Sequence, residues 1–212
     1  VALSLGKALD WLYPSRCCLC ATLGDAPICD LCRASFAEIE GGPTYFGSGE
    51  ALDYHVSIYQ YEGRARQAIL RYKMDRVTAL EAPLAALIQD HVGQYALMDG
   101  VTHIMPVPIH WRRRVWRGFN QAEGLLHGFP SEWVFFDTLI RTKSTRPQAG
   151  LTMEERRENL VGAFQCQVPL PGAHVLLVDD IYTSGATARG CAQVLRAKGA
   201  QRVGVLTFAS GA

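Results

Sequence analysis

The sequence predicts an α/β fold, a mostly parallel sheet covered by helices, with a small four-cysteine knuckle in front of it. Three observations predict it. Strand-like apolar runs alternate with helix-like runs from Tyr54 to Phe208. One run, VLLV at 175–178, is wholly apolar, as a strand buried on both faces should be. Five of the seven cysteines lie between positions 17 and 32. With 212 residues, 49% hydrophobic and 19% charged, the chain is long enough for one main core and a small appendage. A formal net charge of +1 gives no global attraction for nucleic acid or anionic lipid, so any such binding must come from local clusters of Lys and Arg. No run approaches the roughly 20 uncharged apolar residues of a membrane helix. Lys7 and Asp10 interrupt the first segment where a signal peptide would be apolar. The expectation is a cytoplasmic protein with no stable membrane insertion.

At the front, Leu5, Ala8, Leu9 and Leu12 recur at helical spacing until Pro14 stops the run. Cys17-x-x-Cys20 and Cys29-x-x-Cys32 follow as two chelating pairs separated by eight residues, each able to turn two thiolates onto one ion. A reducing compartment disfavours disulfides, so zinc is the expected metal, with an iron–sulfur cluster as the alternative four cysteines leave open. Four thiolates leave no open coordination position, which makes the site structural. A segment this small has too little core to fold without a metal. Cys18 is a spare thiol, and Cys166 and Cys191 read as buried small hydrophobes. The connector GGPTYFGSGE has no periodicity. It places a boundary near residue 45, with residues 1–45 as the helix and knuckle and 46–212 as the main domain.

In the main domain, 54–61 reads as a strand, 65–72 and 79–92 as helices, and 102–109 as a strand ending in Pro-x-Pro. Residues 119–127 read as a helix, 133–140 as a strand and 143–152 as an exposed loop. Thr152, with Glu155 three residues on, forms a capping box for a helix over 153–160. Then come a strand at 175–178, a helix over 186–198 closed by Gly199, and a last strand over 202–208.

The segment HVLLVDDIYTSGAT at 174–187 carries the chemistry. The sheet stops at Asp179 and Asp180, and that end is where open α/β sheets bind ligands. Beyond it, small residues let backbone N–H groups crowd round a phosphate. Thr183, Ser184 and Thr187 add hydroxyls, and the following helix turns its positive end to the anion. Two acids and this cup resemble the signature of type I phosphoribosyltransferases. The resemblance implies a sheet of that kind, and it implies that Asp179 and Asp180 hold the ribose 2- and 3-hydroxyls, directly or through Mg²⁺. These two would be the catalytic residues, and Thr183, Ser184, Gly185, Ala186 and Thr187 would hold the 5-phosphate of phosphoribosyl pyrophosphate. Purine-specific members often carry an Asp where this chain has Thr183, so the base toward an incoming nitrogen is missing from this loop.

A narrower resemblance spans nearly the whole chain. The front cysteines, YEGRARQAILRYK, PVP followed by RRRVWRGFNQAE, RPQAGLTMEERRENLVGAF and VLLVDDIYTSGAT stand in the order of the competence protein F family, also seen as GntX-like proteins. The resemblance implies a role in natural transformation and DNA uptake. Arg112, Arg113, Arg114 and Arg117 fall within six residues, a density that like-charge repulsion disfavours unless an anion is shared. They are candidates for a pyrophosphate site, with Lys73 and Arg146. Arg141, Lys143, Arg146, Gln148, Arg156, Arg157 and Asn159 fall where the family has a mobile hood that excludes water. After RGFNQAE the chain departs from the family pattern in GLLHGFPSE, which implies a shorter subdomain. Two functions stand side by side: a Mg²⁺-dependent phosphoribosyltransferase on an unknown acceptor, and a non-catalytic binder of phosphoribosyl groups or single-stranded DNA working with other competence proteins. Trp111, Trp116 and Phe119 among the basic residues suit stacking on a strand. A third reading is a ligand sensor kept on the same fold.

Overall fold

The computed structural model of the chain describes residues 15–24, 26–93, 97–144, 152, 155 and 159–211. A five-stranded sheet organises it. The strands are β1 (Thr44–Tyr45), β2 (Tyr54–Gln60), β3 (His103–Pro106), β6 (His174–Tyr182) and β7 (Arg202–Ser210), in the order β1-β2-β7-β6-β3. Only β1 runs antiparallel, against β2; the other pairings are parallel. A separate two-stranded ladder joins β4 (Leu139–Arg141) and β5 (Phe164–Cys166).

Parallel neighbours require crossovers, and helices supply them. Between β2 and β3 run α2 (Gly63–Lys73) and α3 (Glu81–Val92), and between β6 and β7 runs α6 (Ala186–Ala197). On α2 the buried residues are Ala65, Ala68, Ile69 and Tyr72; on α6 they are Ala188, Cys191, Ala192 and Leu195. Both sets follow the i, i+3, i+4, i+7 spacing of one helix face. The central strand β6 feeds both sides of the sheet, because alternate strand residues face opposite ways. Leu176 and Val178 pack with Ile69, Tyr72, Leu84 and Ile88, while Val175 and Leu177 pack with Cys191, Ala192 and Leu195. Each such fully buried branched side chain contributes about 1.5–3 kcal/mol of transfer free energy. Helices on both faces hold β6 in place, so the acids at its far end are fixed by the core.

The cysteine segment carries α1 (Asp30–Ala34) and lies against α2. Arg64 Nη1 and Gln67 Nε2 donate to the Leu19 carbonyl at 3.0 and 3.2 Å, and Arg71 donates to that of Cys18. Phe36 adds edge-on contacts to Tyr59 and Phe208, at ring-centroid distances of 5.2 and 6.0 Å.

Several sequence expectations are corrected. Residues 133–140 do not form one strand. A 3₁₀ turn, Ser131–Trp133, leads to a single bridge from Val134 to Ile104, and the left-handed Asp137 (φ 56°) then redirects the chain into β4. The strand over 102–109 stops at Pro106, since Pro106 and Pro108 have no N–H for a ladder. The helix over 119–127 shrinks to α5 (Gln121–Gly124). There Gly124 is pressed against Tyr72 and Glu81, and Gly128 takes φ 94°. The basic run, given no element in the sequence reading, forms a helix, α4 (Trp111–Arg117), with His110 Nδ1 accepting from the Arg112 N–H. The two-residue β1 and the three-residue β5 carry too little pattern to be seen in sequence. The capping box is present: the Thr152 N–H donates to Glu155 and the Glu155 N–H to Thr152 Oγ1. The helix expected over 5–12, and most of that over 153–160, lie outside the described residues. Among the described residues no helix is long and apolar enough to cross a membrane.

Candidate functional site

A cleft of about 230 Å³ opens at the carboxyl edge of the sheet. Its floor is the end of β6. The strand continues through both acids to Tyr182, so Asp179 pairs in register with Thr207 of β7 and Asp180 is almost fully buried. One wall is the loop Val107–Pro108–Ile109 after β3; the other is the turn 183–187 entering α6. Gly185 caps α6 at φ 70° and brings no side-chain acceptor to its first turn. A Cβ there would sit 2.2 Å from the Tyr182 hydroxyl, so the left-handed turn and the close approach both require glycine. In that turn the Ala186 N–H reaches Ser184 Oγ at 3.5 Å, and the positive end of the helix suits an anion.

The electrostatics are those of two acids among cations. Lys73, the last residue of α2, donates from Nζ to Asp180 Oδ2 at 2.7 Å. Arg113, Arg117 and Arg141 also line the cleft. Burial disfavours the Asp180 charge. Lys73 and a hydrogen bond from Asp179 outweigh it, and hold the Asp180 carboxyl below the usual carboxylate range. Burial and the adjacent Asp180 charge push Asp179 well above that range. The two adjacent carboxyls are thus shifted in opposite directions, Asp180 toward its charged form and Asp179 toward its protonated form. Burial works against the Lys73 ammonium too, yet Asp180 and Asp179 raise its pKa. Among the described buried side-chain atoms, Arg117 Nε and the Tyr182 hydroxyl have no hydrogen-bond partner. Both residues line the cleft, and orphaned buried donors there are what a ligand would satisfy.

The structure brings together Asp179, Asp180, Thr183, Gly185, Ala186, Thr187, Lys73, Arg113 and Arg117. Ser184 lies in the turn, where its carbonyl accepts from Arg189 at 2.6 Å. Arg112 and Arg114 turn away. Arg112 lies over the Trp111 ring, and Arg114 pairs with Glu123 through two bonds of 2.8 and 3.1 Å. Arg146, Gln148, Arg156 and Arg157 lie outside the described residues. Sequence reasoning missed Tyr182 and Thr207. A polar residue inside the apolar strand RVGVLTF was the available signal for Thr207.

At the front, the sulfurs of Cys17, Cys20, Cys29 and Cys32 lie within 4.8 Å of one another, with Cys17–Cys32 at 3.8 Å and Cys20–Cys29 at 3.6 Å. Four sulfurs about 2.3 Å from one tetrahedral zinc stand about 3.8 Å apart, so the cluster fits a structural zinc. The Leu19 and Cys29 N–H groups both point at Cys17 Sγ at 3.4 Å, as donors to a thiolate do. Cys18 is not in the group, and Cys166 and Cys191 are buried in the core. Magnesium has no comparable set: among the described residues the four cysteines are the only cluster of three or more metal-ligating side chains. The Asp179–Asp180 pair alone does not make a protein-held magnesium site.

The sheet is mostly parallel, a glycine-capped turn stands at its carboxyl edge, and a four-cysteine knuckle fronts it: an α/β ligand-binding architecture with a metal-type appendage. No family model matches the chain. It is 33% identical over 158 residues to DNA utilization protein YhgH of Salmonella typhi, covering 71% of this chain and 69% of that protein. It is 38% identical over 109 residues to competence protein F of Haemophilus influenzae, covering 48% and 47%. It is 29% identical over 150 residues to competence protein ComFC of Streptococcus pneumoniae, covering 70% and 64%. The chain belongs to the family of the DNA utilization protein YhgH, with competence protein F and ComFC among its homologues. Among solved structures, phosphoribosylpyrophosphate synthetase from Mycobacterium smegmatis superposes at TM-score 0.36 and 18% identity, over 62% of this chain and 33% of that one. A hypoxanthine phosphoribosyltransferase from Staphylococcus aureus does so at TM-score 0.35 and 12% identity, over 60% and 62%.

Proposed function

We propose that the cleft binds phosphoribosyl pyrophosphate and that the protein serves DNA uptake or use through that ligand. What carries the reading is the Asp179–Asp180 pair lying beside the Gly185 cup, with Lys73, Arg113, Arg117 and Arg141 around the same cleft. In this reading the turn 183–187 takes the 5-phosphate on backbone N–H groups and hydroxyls. Asp179 and Asp180 take the ribose hydroxyls, and the cations take the pyrophosphate. If transfer is catalysed, a nitrogen nucleophile bonds to the ribose carbon as its bond to pyrophosphate breaks, and the leaving charge falls among the arginines. With Thr183 in place of an acid, the nucleophile's proton goes to solvent or to the acceptor's own base.

Calorimetric titration with phosphoribosyl pyrophosphate tests the binding. Saturable one-to-one heat that is lost in Gly185→Val is the expected result, and the absence of heat in the unaltered protein refutes the reading. Pyrophosphate release, dependent on an added base or amine and abolished in Asp180→Ala, separates an enzyme from a binder.

A second reading is supported by the outer face of α4. Trp111, Val115 and Trp116 are 60%, 76% and 57% exposed, and the guanidiniums of Arg112 and Arg76 lie over Trp111 and Trp116 at 5.4 and 5.5 Å. Exposed rings backed by arginines suit single-stranded DNA, whose bases stack on aromatic faces. Fluorescence anisotropy with a labelled oligonucleotide should show salt-sensitive binding weakened about tenfold in Trp116→Ala. Salt-insensitive or absent binding removes this reading.

A further inference from the structure

Type I phosphoribosyl sites are expected to use a divalent ion, yet the cleft already holds a cation where one would act. Lys73 Nζ stands 2.7 Å from Asp180 Oδ2, with its side chain 26% exposed and that of Asp180 only 3%. An ammonium has three N–H donors, and the Asp180 bond uses one. The remaining donors belong to a residue that lines the cleft, so one group can touch both the acid and a phosphate oxygen of a bound ligand. That bridging of protein carboxylate to ligand phosphate is the service a divalent ion gives in such sites.

Two further observations agree. The acid that a divalent ion would share is already engaged: Asp180 is almost fully buried and its Oδ2 is taken by the Lys73 ammonium. The lining residues also include three arginines, so four cations face two carboxylates. A polyanion can be neutralised by that set alone. Arg117 adds a buried Nε with no hydrogen-bond partner.

We propose that Lys73 replaces the divalent ion at this site: the cleft binds its pyrophosphate-bearing ligand without magnesium, the Lys73 ammonium bridging Asp180 and the ligand's phosphates. The inference rests on the phosphoribosyl reading above and deepens it. Its consequence is a binding protein indifferent to cellular magnesium.

The test is calorimetric titration of the zinc-loaded full chain with phosphoribosyl pyrophosphate, in buffer freed of magnesium over chelating resin and again with magnesium restored. The expected dissociation constants agree within about tenfold. In Lys73→Met, affinity in magnesium-free buffer should fall by more than about tenfold and be partly restored by magnesium, because the ion then supplies the missing charge. Lys73→Arg, which keeps a cation beside Asp180 and guards against a folding defect, should still bind without magnesium. A fall of more than about tenfold for the unaltered protein on removing magnesium overturns the proposal. So does a Lys73→Met protein that binds equally well without magnesium. Absence of heat in both buffers instead overturns the phosphoribosyl reading itself, and this inference falls with it.

Discussion

The cysteine knuckle and the cleft at the carboxyl edge of the sheet are built on different scales of sequence. All four sulfurs come from one stretch, 17–32, whereas the cleft takes Lys73 from α2, Val107–Ile109 and Arg113 from beyond β3, Arg141 from β4, and its acids from β6. The knuckle's geometry is set by local turns and by what it chelates. The cleft's geometry is set by the hydrophobic packing that lays α2 and α6 against the two faces of β6. A local site should fail by losing its metal, and a distributed one by losing a buried charge balance.

The largest effect should come from the knuckle. Structural zinc contributes on the order of 10–16 kcal/mol of apparent binding energy in small zinc peptides, so Cys32→Ser should remove the metal and unfold the segment around it. Metal analysis is expected to fall from one zinc per chain to none, while circular dichroism retains the signal of the main sheet. Collapse of the whole chain would show that the two regions are a single folding unit.

Next comes the charge balance of the cleft. Lys73→Met leaves Asp180 buried without its cation, a loss of about 3–5 kcal/mol by urea unfolding, and adding Asp180→Asn should recover much of it. The pair's contribution has a definite pH window. Asp180 is held below the usual range, so its part is present at neutral pH and lost as pH falls through that lowered pKa. Lys73 is raised, so its part is full below the ordinary lysine pKa and lost as pH rises through the raised one. A cost under about 1 kcal/mol would mean that solvent, not Lys73, balances Asp180.

Asp179 should behave in the opposite sense. Its pKa is raised by burial and by Asp180, so ionising it costs stability, increasingly as pH climbs from the ordinary carboxylate range to the raised value. Asp179→Asn should therefore stabilise the protein at neutral pH by about 1 kcal/mol or more, and by nothing once acid has protonated the native residue. Thermal melts at neutral and acid pH read the difference. An unchanged neutral melting point would show that Asp179 is not held protonated.

The smallest contrast lies within one helix. Arg113 lines the cleft and Arg112 lies over Trp111, although the two are neighbours in an arginine run. Arg113→Ala should weaken phosphoribosyl pyrophosphate by about tenfold or more. Arg112→Ala should change binding and stability by less than about 0.5 kcal/mol. Equal effects would mean that the run acts as a diffuse basic face.

These contrasts divide what was legible from what was not. The alternation of strands and helices, the acids before the Gly185 cup and the two chelating pairs were readable because each is a local pattern: a burial period, a turn chemistry, a ligand spacing. The stretch 119–140 was not readable. Its short elements are decided by contacts with distant residues, as where Gly124 meets Tyr72 and Val134 meets Ile104. The same holds inside the site. Lys73 could be named as a candidate cation for the cleft, but its bond to Asp180 could not, because nothing within several residues of it points to that partner.

By itself, then, the sequence determined the α/β class, the cysteine cluster and the place of the acids and the glycine turn at the sheet's edge. Which arginines of the run face the cleft, that Asp180 is bonded to a lysine 107 residues away, and that the two acids are shifted in opposite directions were decided only by the tertiary structure. The physical reason is range. Periodicity and turn chemistry act over a few residues, whereas burial and ion pairing depend on which distant segments the core brings into contact.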